Sequence, residues 1–209
     1  MKYITCGEPP IDLGKIELVN KEMMFFLYLP VKKKGYVNHF VPKRLKWTIP
    51  AIERLMFKDP SKYIDSYLYI TAKTMFVCEG SPGNRPGWHI DGFGSKGDLN
   101  FIWADMNPTE FAIQKFSKIS SDDKQSMIDI ENQIDDNRII TYPDKHLLRL
   151  DESVVHRVAP NPKAGIRTFL KLTLSEHEFR NEGNSKNYML NMNWDMKPRN
   201  LERNLDHHG

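Results

Sequence analysis

The sequence predicts a mainly β fold with flanking helices. Residues 154–158, Val-Val-His-Arg-Val, have the β-branched composition of a buried strand. Residues 167–174 alternate strictly, with Thr168 and three leucines at the even-numbered positions, which indicates a strand that buries this side. Arg167 opens that strand and faces the other way.

Further strands and two helices are predicted along the chain. The strands cover residues 23–30, 63–73, 99–105, 138–142 and 146–150. A helix over 49–58 is entered through Thr48 and Pro50 and ends at Asp59-Pro60. An amphipathic helix over 121–134, with Met127, Ile130 and Ile134 at helical spacing, is expected to pack on the sheets.

Length and composition are typical of one domain, 1–209. The chain has 209 residues, of which 40% are hydrophobic, enough for a substantial core. Cys6 and Cys78 form no disulfide framework, which favours a reducing compartment. The first ten residues lack a signal-peptide pattern, and no apolar stretch reaches the ~20 residues of a membrane helix. We therefore expect a soluble, cytoplasmic protein.

The net charge of +3 is lower than that of most dedicated nucleic-acid binders. The run Lys32-Lys33-Lys34, followed by Lys43, Arg44 and Lys46, has aromatic residues between its charges and could bind phosphates and bases. Such a run more often forms a solvated hairpin tip. Both readings stay open.

A metal site is predicted from His89, Asp91 and His156. Alternate residues of a strand share a face, so His89 and Asp91 can reach one metal ion while Ile90 points into a core. Two histidines and one carboxylate leave three coordination positions open, as non-haem Fe(II) oxygenases require. An inward Arg167 at a strand start calls for an anion.

These residues carry a family resemblance. Segments 88–92 (Trp-His-Ile-Asp-Gly), 156–162 and 165–168 (Gly-Ile-Arg-Thr) resemble the core of the Fe(II)/2-oxoglutarate-dependent dioxygenases, across about residues 67–175. The spacing is nearest to the phytanoyl-CoA hydroxylase-like branch. Phe169 departs from a common pattern in which Ser or Thr stands two residues after the arginine.

The resemblance implies a double-stranded β-helix, also called a jelly-roll or cupin-like barrel, and an enzyme. His89, Asp91 and His156 would hold Fe(II), and Arg167 would bind the far carboxylate of the cosubstrate 2-oxoglutarate. With O₂, such an enzyme couples oxidative decarboxylation of 2-oxoglutarate to hydroxylation or oxidative demethylation. The presence of Asp91 disfavours halogenation, because no ligand position is left vacant for a halide.

Further site residues are predicted from their positions near the ligands. Tyr69 and Asn100 are candidates for cofactor binding, and the candidates for substrate binding are Trp88, Phe93, Trp103 and Arg149. The substrate would be a small molecule or a modified base. The extension 176–209, rich in asparagine and aromatic residues, could close over the site or pair with a second subunit as a dimer.

Two other functions remain as alternatives. Residues 151–161 loosely resemble the second cupin motif, so a cupin-like metal-dependent isomerase or ligand-binding barrel is one of them. Its first motif normally has another histidine near His89, where Asp91 stands. A binding module without redox chemistry is the other, although all four key residues are present.

Overall fold

The computed structural model describes residues 3–91 and 97–199 and is mainly β, as predicted. In chain order the strands are β1 (Tyr3–Ile4), β2 (Ile11–Lys15), β3 (Met24–Lys32), β4 (Tyr67–Val77), β5 (Leu99–Ala104), β6 (Glu110–Ala112), β7 (Ile119–Ser120), β8 (Ile139–Thr141), β9 (His146–Leu150), β10 (His156–Arg157) and β11 (Gly165–Ser175). The α-helices are α1 (Ile49–Lys58), α2 (Pro60–Ile64) and α3 (Asp123–Glu131), and short 3-10 helices cover Lys43–Thr48 and Asp136–Arg138.

The strands form antiparallel sheets. The large sheet has the order β2-β9-β5-β11-β4-β3, and the small sheet has the order β10-β6-β8. An isolated bridge joins His89 to His156 at the free edge of the small sheet, and β1 pairs with β7. Over the described residues, none of these sheets closes into a barrel.

From β4 onward the chain alternates between the two sheets. It runs from β4 of the large sheet to His89 at the small one, then through β5 (large), β6 and β8 (small), β9 (large), β10 (small) and β11 (large). Phe111 of β6 packs with Ile102, Leu148 and Phe169 of the large sheet. The two sheets therefore face each other across a shared interior.

The outer faces of both sheets are covered. Leu170 and Leu172 of β11 pack against α1 through Ile52 and Leu55. On the other side, Ile130 of α3 belongs to the same apolar cluster as Ala112 of the small sheet and residues 88, 90 and 155. Strand β11 is thus buried on both faces rather than on one, and the burial predicted for Thr168 and the three leucines is confirmed.

The predicted helix over 49–58 is confirmed as α1. Pro50 lies in its first turn, where the missing N–H has no intrahelical partner to lose. Thr48 does not cap the helix, because its hydroxyl donates to Leu45 O at 2.8 Å. Pro60 starts α2, so the strand predicted from residue 63 begins at Tyr67 and Tyr63 is helical.

Helix α3 is shorter than predicted. Asp122 is its N-cap and accepts a hydrogen bond from the Gln125 amide at 2.9 Å. Ile130 is buried as expected, whereas Ile128 is exposed. In the described part of the chain, no helix combines the length and the apolar character needed to cross a bilayer.

Lys32, the first residue of the lysine run, is not part of a free basic patch. Lys32 is fully buried, and its ammonium donates to the carbonyl oxygens of residues 33, 36, 64 and 66 at 2.6–3.4 Å. The Lys33 ammonium donates to Asn191 O, and Lys34 pairs with Glu176. Lys32 is therefore a structural cation that links β3 to the chain around α2, and it is unavailable to nucleic acid.

Replacing Lys32 with methionine is expected to lower the free energy of unfolding by about 2–4 kcal/mol, because buried carbonyls lose their donor. Denaturant unfolding measures the change. Lys34→Met is the matched control, since Lys34 is exposed and its single ion pair contributes at most about 1 kcal/mol. Equal effects of the two substitutions would contradict this role of Lys32.

Candidate metal centre

His89 and His156 lie directly opposite each other. The amide of each donates to the carbonyl of the other, at N–O distances of 3.0 and 2.9 Å. Side chains of directly opposed residues in an antiparallel pair extend from the same face. The two imidazole ring centroids are 4.5 Å apart. Backbone pairing thus brings together two residues far apart in the sequence.

Asp91 completes a possible metal site. One ligand atom from each of His89, Asp91 and His156 lies within 4.8 Å of the others, and His156 Nε2 is 4.0 Å from Asp91 Oδ2. Ile90 points the other way, into the cluster under α3. The predicted grouping of these three residues is confirmed, and the triad can hold a metal ion.

Hydrogen bonds fix which nitrogen of each histidine is free. His89 Nδ1 lies 2.9 Å from Gly87 O, and His156 Nδ1 lies 3.1 Å from Val154 O. A carbonyl oxygen only accepts, so each Nδ1 carries the proton. Both Nε2 lone pairs therefore remain for a metal, the arrangement that outer hydrogen bonds commonly impose on ligating histidines.

The protonation states also suit metal binding. Burial, together with the neighbouring His156, lowers the pKa of His89 to about 3, and burial lowers the pKa of His156. For Asp91, burial alone acts upward, but Lys171 and the two histidines bring its pKa below the usual value. Two neutral imidazoles and one carboxylate result, and these are the forms that bind metal.

Lys171 is part of this site and was not predicted. Its ammonium lies 2.7 Å from Asp91 Oδ2, and burial, which lowers the pKa of Lys171, is outweighed by Asp91, which raises it. Lys171 is on the face of β11 that also carries Arg167. Such an outer hydrogen bond orients a ligating carboxylate.

Replacing Lys171 with methionine is expected to weaken metal binding about 10- to 100-fold, because Asp91 loses the group that orients it. Titration with Mn²⁺, followed by electron paramagnetic resonance, measures the affinity. Lys73→Met is the matched control. Lys73 is in β4, on the same face of the large sheet as Lys171, but its ammonium donates to Gly83 O and Asn84 Oδ1. Unchanged metal affinity in Lys171→Met would contradict the orienting role.

Arg167 presents an unpaired donor to the interior. The residue is 2% exposed, its Nε donates to Met106 O at 2.9 Å, and its buried Nη2 has no hydrogen-bond partner among the described residues. Burial lowers its pKa to about 10 against the opposing effect of Asp105 and Asp144, so the guanidinium stays charged at neutral pH. A buried unpaired donor is costly unless a ligand satisfies it.

A third cation lies near Arg167 and Lys171. Burial, with the charges of Arg167 and Lys171 acting in the same direction, lowers the pKa of Lys73 to about 8. All three belong to the central strands β4 and β11, on the face turned toward the small sheet. This face therefore favours an anionic ligand.

Tyr69 and Asn100 are on the predicted face but far from Arg167. Both pair with Thr173 in the sheet register, six residues beyond Arg167, or about 20 Å along the strand. The Tyr69 hydroxyl donates to His177 O and accepts from Phe179 N, and Asn100 Oδ1 accepts from Thr173. This placement does not fit contact with a small ligand held by Arg167.

The predicted substrate residues fall elsewhere. Trp103 is buried in the cluster under α1, and its Nε1 donates to Ile16 O and Lys145 O. Arg149, on the same outer face of the large sheet, pairs with Asp59. Trp88 lies in the cluster under α3. All three point away from the triad, which does not fit substrate contact, and Phe93 is outside the described residues.

The C-terminal segment, residues 176–199, packs on its own chain. Ser185 N donates to Leu27 O and Asn187 Nδ2 donates to Pro30 O, so the segment lies along β3. Phe179 stacks on Tyr69 with ring centroids 4.3 Å apart. The segment thus covers the Tyr69 end of the inner face of the large sheet. Closure over the site and pairing with a second subunit both stay predictions.

Comparison of the chain with protein-family models, curated proteins and solved structures finds no match. The resemblance stated above therefore remains an expectation. What the structure contributes independently is the set of described residues that can hold a metal ion, His89, Asp91 and His156, with a buried cation, Arg167, in the same interior.

Proposed function

We propose that the protein is an Fe(II)- and 2-oxoglutarate-dependent oxygenase that hydroxylates, or oxidatively demethylates, its substrate. One observation carries the proposal: a His-Asp-His triad and a buried arginine with an unpaired Nη2 share the interior between two facing sheets. The triad can hold a metal ion, and the arginine can bind an anionic cosubstrate.

The donor set fits ferrous iron. Two neutral imidazoles and one ionised carboxylate match the two-histidine, one-carboxylate set of non-haem Fe(II) oxygenases. His89 and His156 pair at one edge of the small sheet and Asp91 is two residues from His89, so the three residues would hold a metal ion from one side. The side of the ion turned toward the large sheet would remain for exogenous ligands.

The spacing along β11 fits 2-oxoglutarate. Arg167 and Lys171 are four residues apart on the same face, about 13 Å along the strand. Lys171 gives the position of the triad along β11, because its ammonium contacts Asp91. The Arg167 side chain and a five-carbon dicarboxylate can together span this distance. Arg167 would hold the far carboxylate by charge-assisted hydrogen bonds.

The strand order supports a jelly-roll assignment. The chain alternates between the large and small sheets from β4 to β11, and the inner faces of the sheets share a core around Phe111 and Phe169. Strands that switch between two facing antiparallel sheets are the basis of double-sheet jelly rolls. The assignment is part of the proposal.

The residues of this chain would position the reactants. Iron supplies the redox chemistry by which 2-oxoglutarate and O₂ become succinate and CO₂ while one oxygen atom enters the substrate. Arg167 fixes the cosubstrate, Lys171 holds Asp91 in its ligand orientation, and Phe169 with Ile102 keeps water from the interior.

Turnover of 2-oxoglutarate tests the proposal. We expect iron-loaded protein to release CO₂ and succinate in equal amounts, and metal-free protein to release neither. Isotopically labelled 2-oxoglutarate reports CO₂, and chromatography reports succinate. Folded, iron-loaded protein that leaves 2-oxoglutarate unchanged would contradict the proposal and favour a metal-dependent function without redox chemistry.

A further inference from the structure

A cavity of about 730 Å³ lies between β3 and the C-terminal segment. Its walls include Tyr28, Pro30 and Phe179 and much of the segment from Asn184 to Met196. This volume lies within the range of small-molecule binding sites. None of the metal ligands lines it, so it is distinct from the triad.

The cavity adjoins the candidate metal centre. Its wall residue Phe179 stacks on Tyr69, which belongs to the inner face of the large sheet. Its wall residue Tyr28 has its ring centroid 6.0 Å from Lys171 Nζ, and that ammonium is 2.7 Å from Asp91. Tyr28 therefore stands between the cavity and the triad.

The backbone conformation at Tyr28 sets the direction in which its ring points. Its φ of 45° is in the left-handed region, which non-glycine residues rarely adopt, and the β3–β4 register shifts between Phe26 and Leu29. The Tyr28 amide donates to Thr71 Oγ1 at 3.1 Å and so holds this conformation. Such bulges re-aim side chains next to active sites, and strained residues concentrate there.

The cavity wall has the chemistry for an uncharged planar ring. Tyr28, Phe179 and Trp194 contribute aromatic side chains to the wall, and Tyr28 and Phe179 meet edge to face with ring centroids 5.1 Å apart. Asn191 and Asn193 line the cavity, and their side chains make no hydrogen bond to the described part of the chain. An amide both donates and accepts, as the edge of a heteroaromatic base requires. Lys186 and Asp195 leave the wall without net charge.

We propose that this cavity binds the oxidisable substrate, an uncharged heteroaromatic ring with a hydrogen-bonding edge, such as a nucleobase, and that Tyr28 determines its specificity. The proposal rests on the proposed function and names the substrate class for it. A ring seated against Tyr28 and Phe179 would direct its substituent past Lys171 toward the triad. The ring can come from a free nucleoside or from a base in a single strand.

Fluorescence titration with the riboside of 2-aminopurine tests the proposal in full-length, metal-free protein. We expect saturable quenching with wild type and about tenfold weaker binding by Tyr28→Gly, which removes the stacking ring and suits the left-handed backbone. Asn193→Ala is expected to weaken binding as well. Tyr36→Ala is the matched control, because Tyr36 is an exposed tyrosine outside the cavity.

If neither this riboside nor the same base in a single-stranded oligonucleotide shows saturable quenching with wild type, or if wild type and Tyr28→Gly bind the probe with equal affinity, the proposal is overturned. A single-stranded oligonucleotide that carries one 2-aminopurine distinguishes the two sources: if it alone binds, with Tyr28-dependent affinity that falls as salt rises, nucleic acid presents the ring. His89→Ala is expected to keep ring binding. Loss of 2-oxoglutarate turnover and loss of ring binding are therefore separate results.

Discussion

Replacing His156 with alanine is expected to reduce Fe(II) affinity by more than about 100-fold and to abolish 2-oxoglutarate turnover, because one of three ligands is lost. His156 is paired with His89 through the backbone, so the substitution leaves the bridge between them intact. Anaerobic equilibrium dialysis with metal analysis measures the affinity, and succinate release measures turnover.

His146→Ala is the matched control for His156→Ala. His146 also lies against a carboxylate, with its Nδ1 2.9 Å from Asp12 Oδ2, but at the β2 side of the large sheet and away from the triad. We expect this variant to bind Fe(II) like wild type. Equal metal affinity of all three proteins would show that the triad is not the iron site.

Replacing Arg167 with methionine is expected to weaken 2-oxoglutarate binding about 10- to 100-fold, the effect of losing hydrogen bonds to a charged partner. The methionine keeps the apolar stem beside Phe169 and removes the unpaired donor. Fe(II) affinity without cosubstrate is expected to stay at the wild-type value. This separation between metal and cosubstrate binding is the signature of a cosubstrate anchor.

Arg149→Met is the control for Arg167→Met. Arg149 belongs to the same large sheet but faces outward and pairs with Asp59. Isothermal titration calorimetry of each Mn²⁺-loaded variant measures its affinity for 2-oxoglutarate. If both arginine variants bound 2-oxoglutarate as wild type does, Arg167 would have no role as the anchor.

The pairing of His89 with Asp91 and the face of Arg167 were predictable because each depends on local periodicity. His89 and Asp91 are two residues apart, so any strand-like backbone places them together, while Ile90 takes the opposite face. The leucines at even-numbered positions of β11 assigned Arg167 to the other face in the same way. Alternation within one strand requires no knowledge of its neighbours.

Lys171 escaped prediction because a lysine on an alternating strand ordinarily indicates a solvated face. Here the small sheet covers that face, and the odd-numbered side of β11 is buried too. The sequence did indicate this placement, because Arg167 and Lys171 are both at odd-numbered positions of β11 and so share the face that was predicted for Arg167. Its partner Asp91 is on another element, and strand pairing cannot be read from spacing alone.

Trp103 and Arg149 were predicted to lie at the site, but they are on the opposite face of the large sheet. Strand β5 is apolar on both sides, with Phe101 and Trp103 facing α1 and Ile102 facing the small sheet. When both faces are buried, alternation does not tell which one carries the site. The cavity beside Tyr28 was equally hidden, because it depends on a β-bulge and on the packing of the C-terminal segment.

An anaerobic titration of Fe(II) and 2-oxoglutarate tests the central claim most directly, with the visible charge-transfer absorption of their chelate as the readout. We predict that wild type develops this absorption only when both are present, that His156→Ala fails to develop it at any 2-oxoglutarate concentration, and that Arg167→Met requires about 10- to 100-fold more 2-oxoglutarate. Iron-loaded wild type that shows no absorption at saturating 2-oxoglutarate would contradict the account.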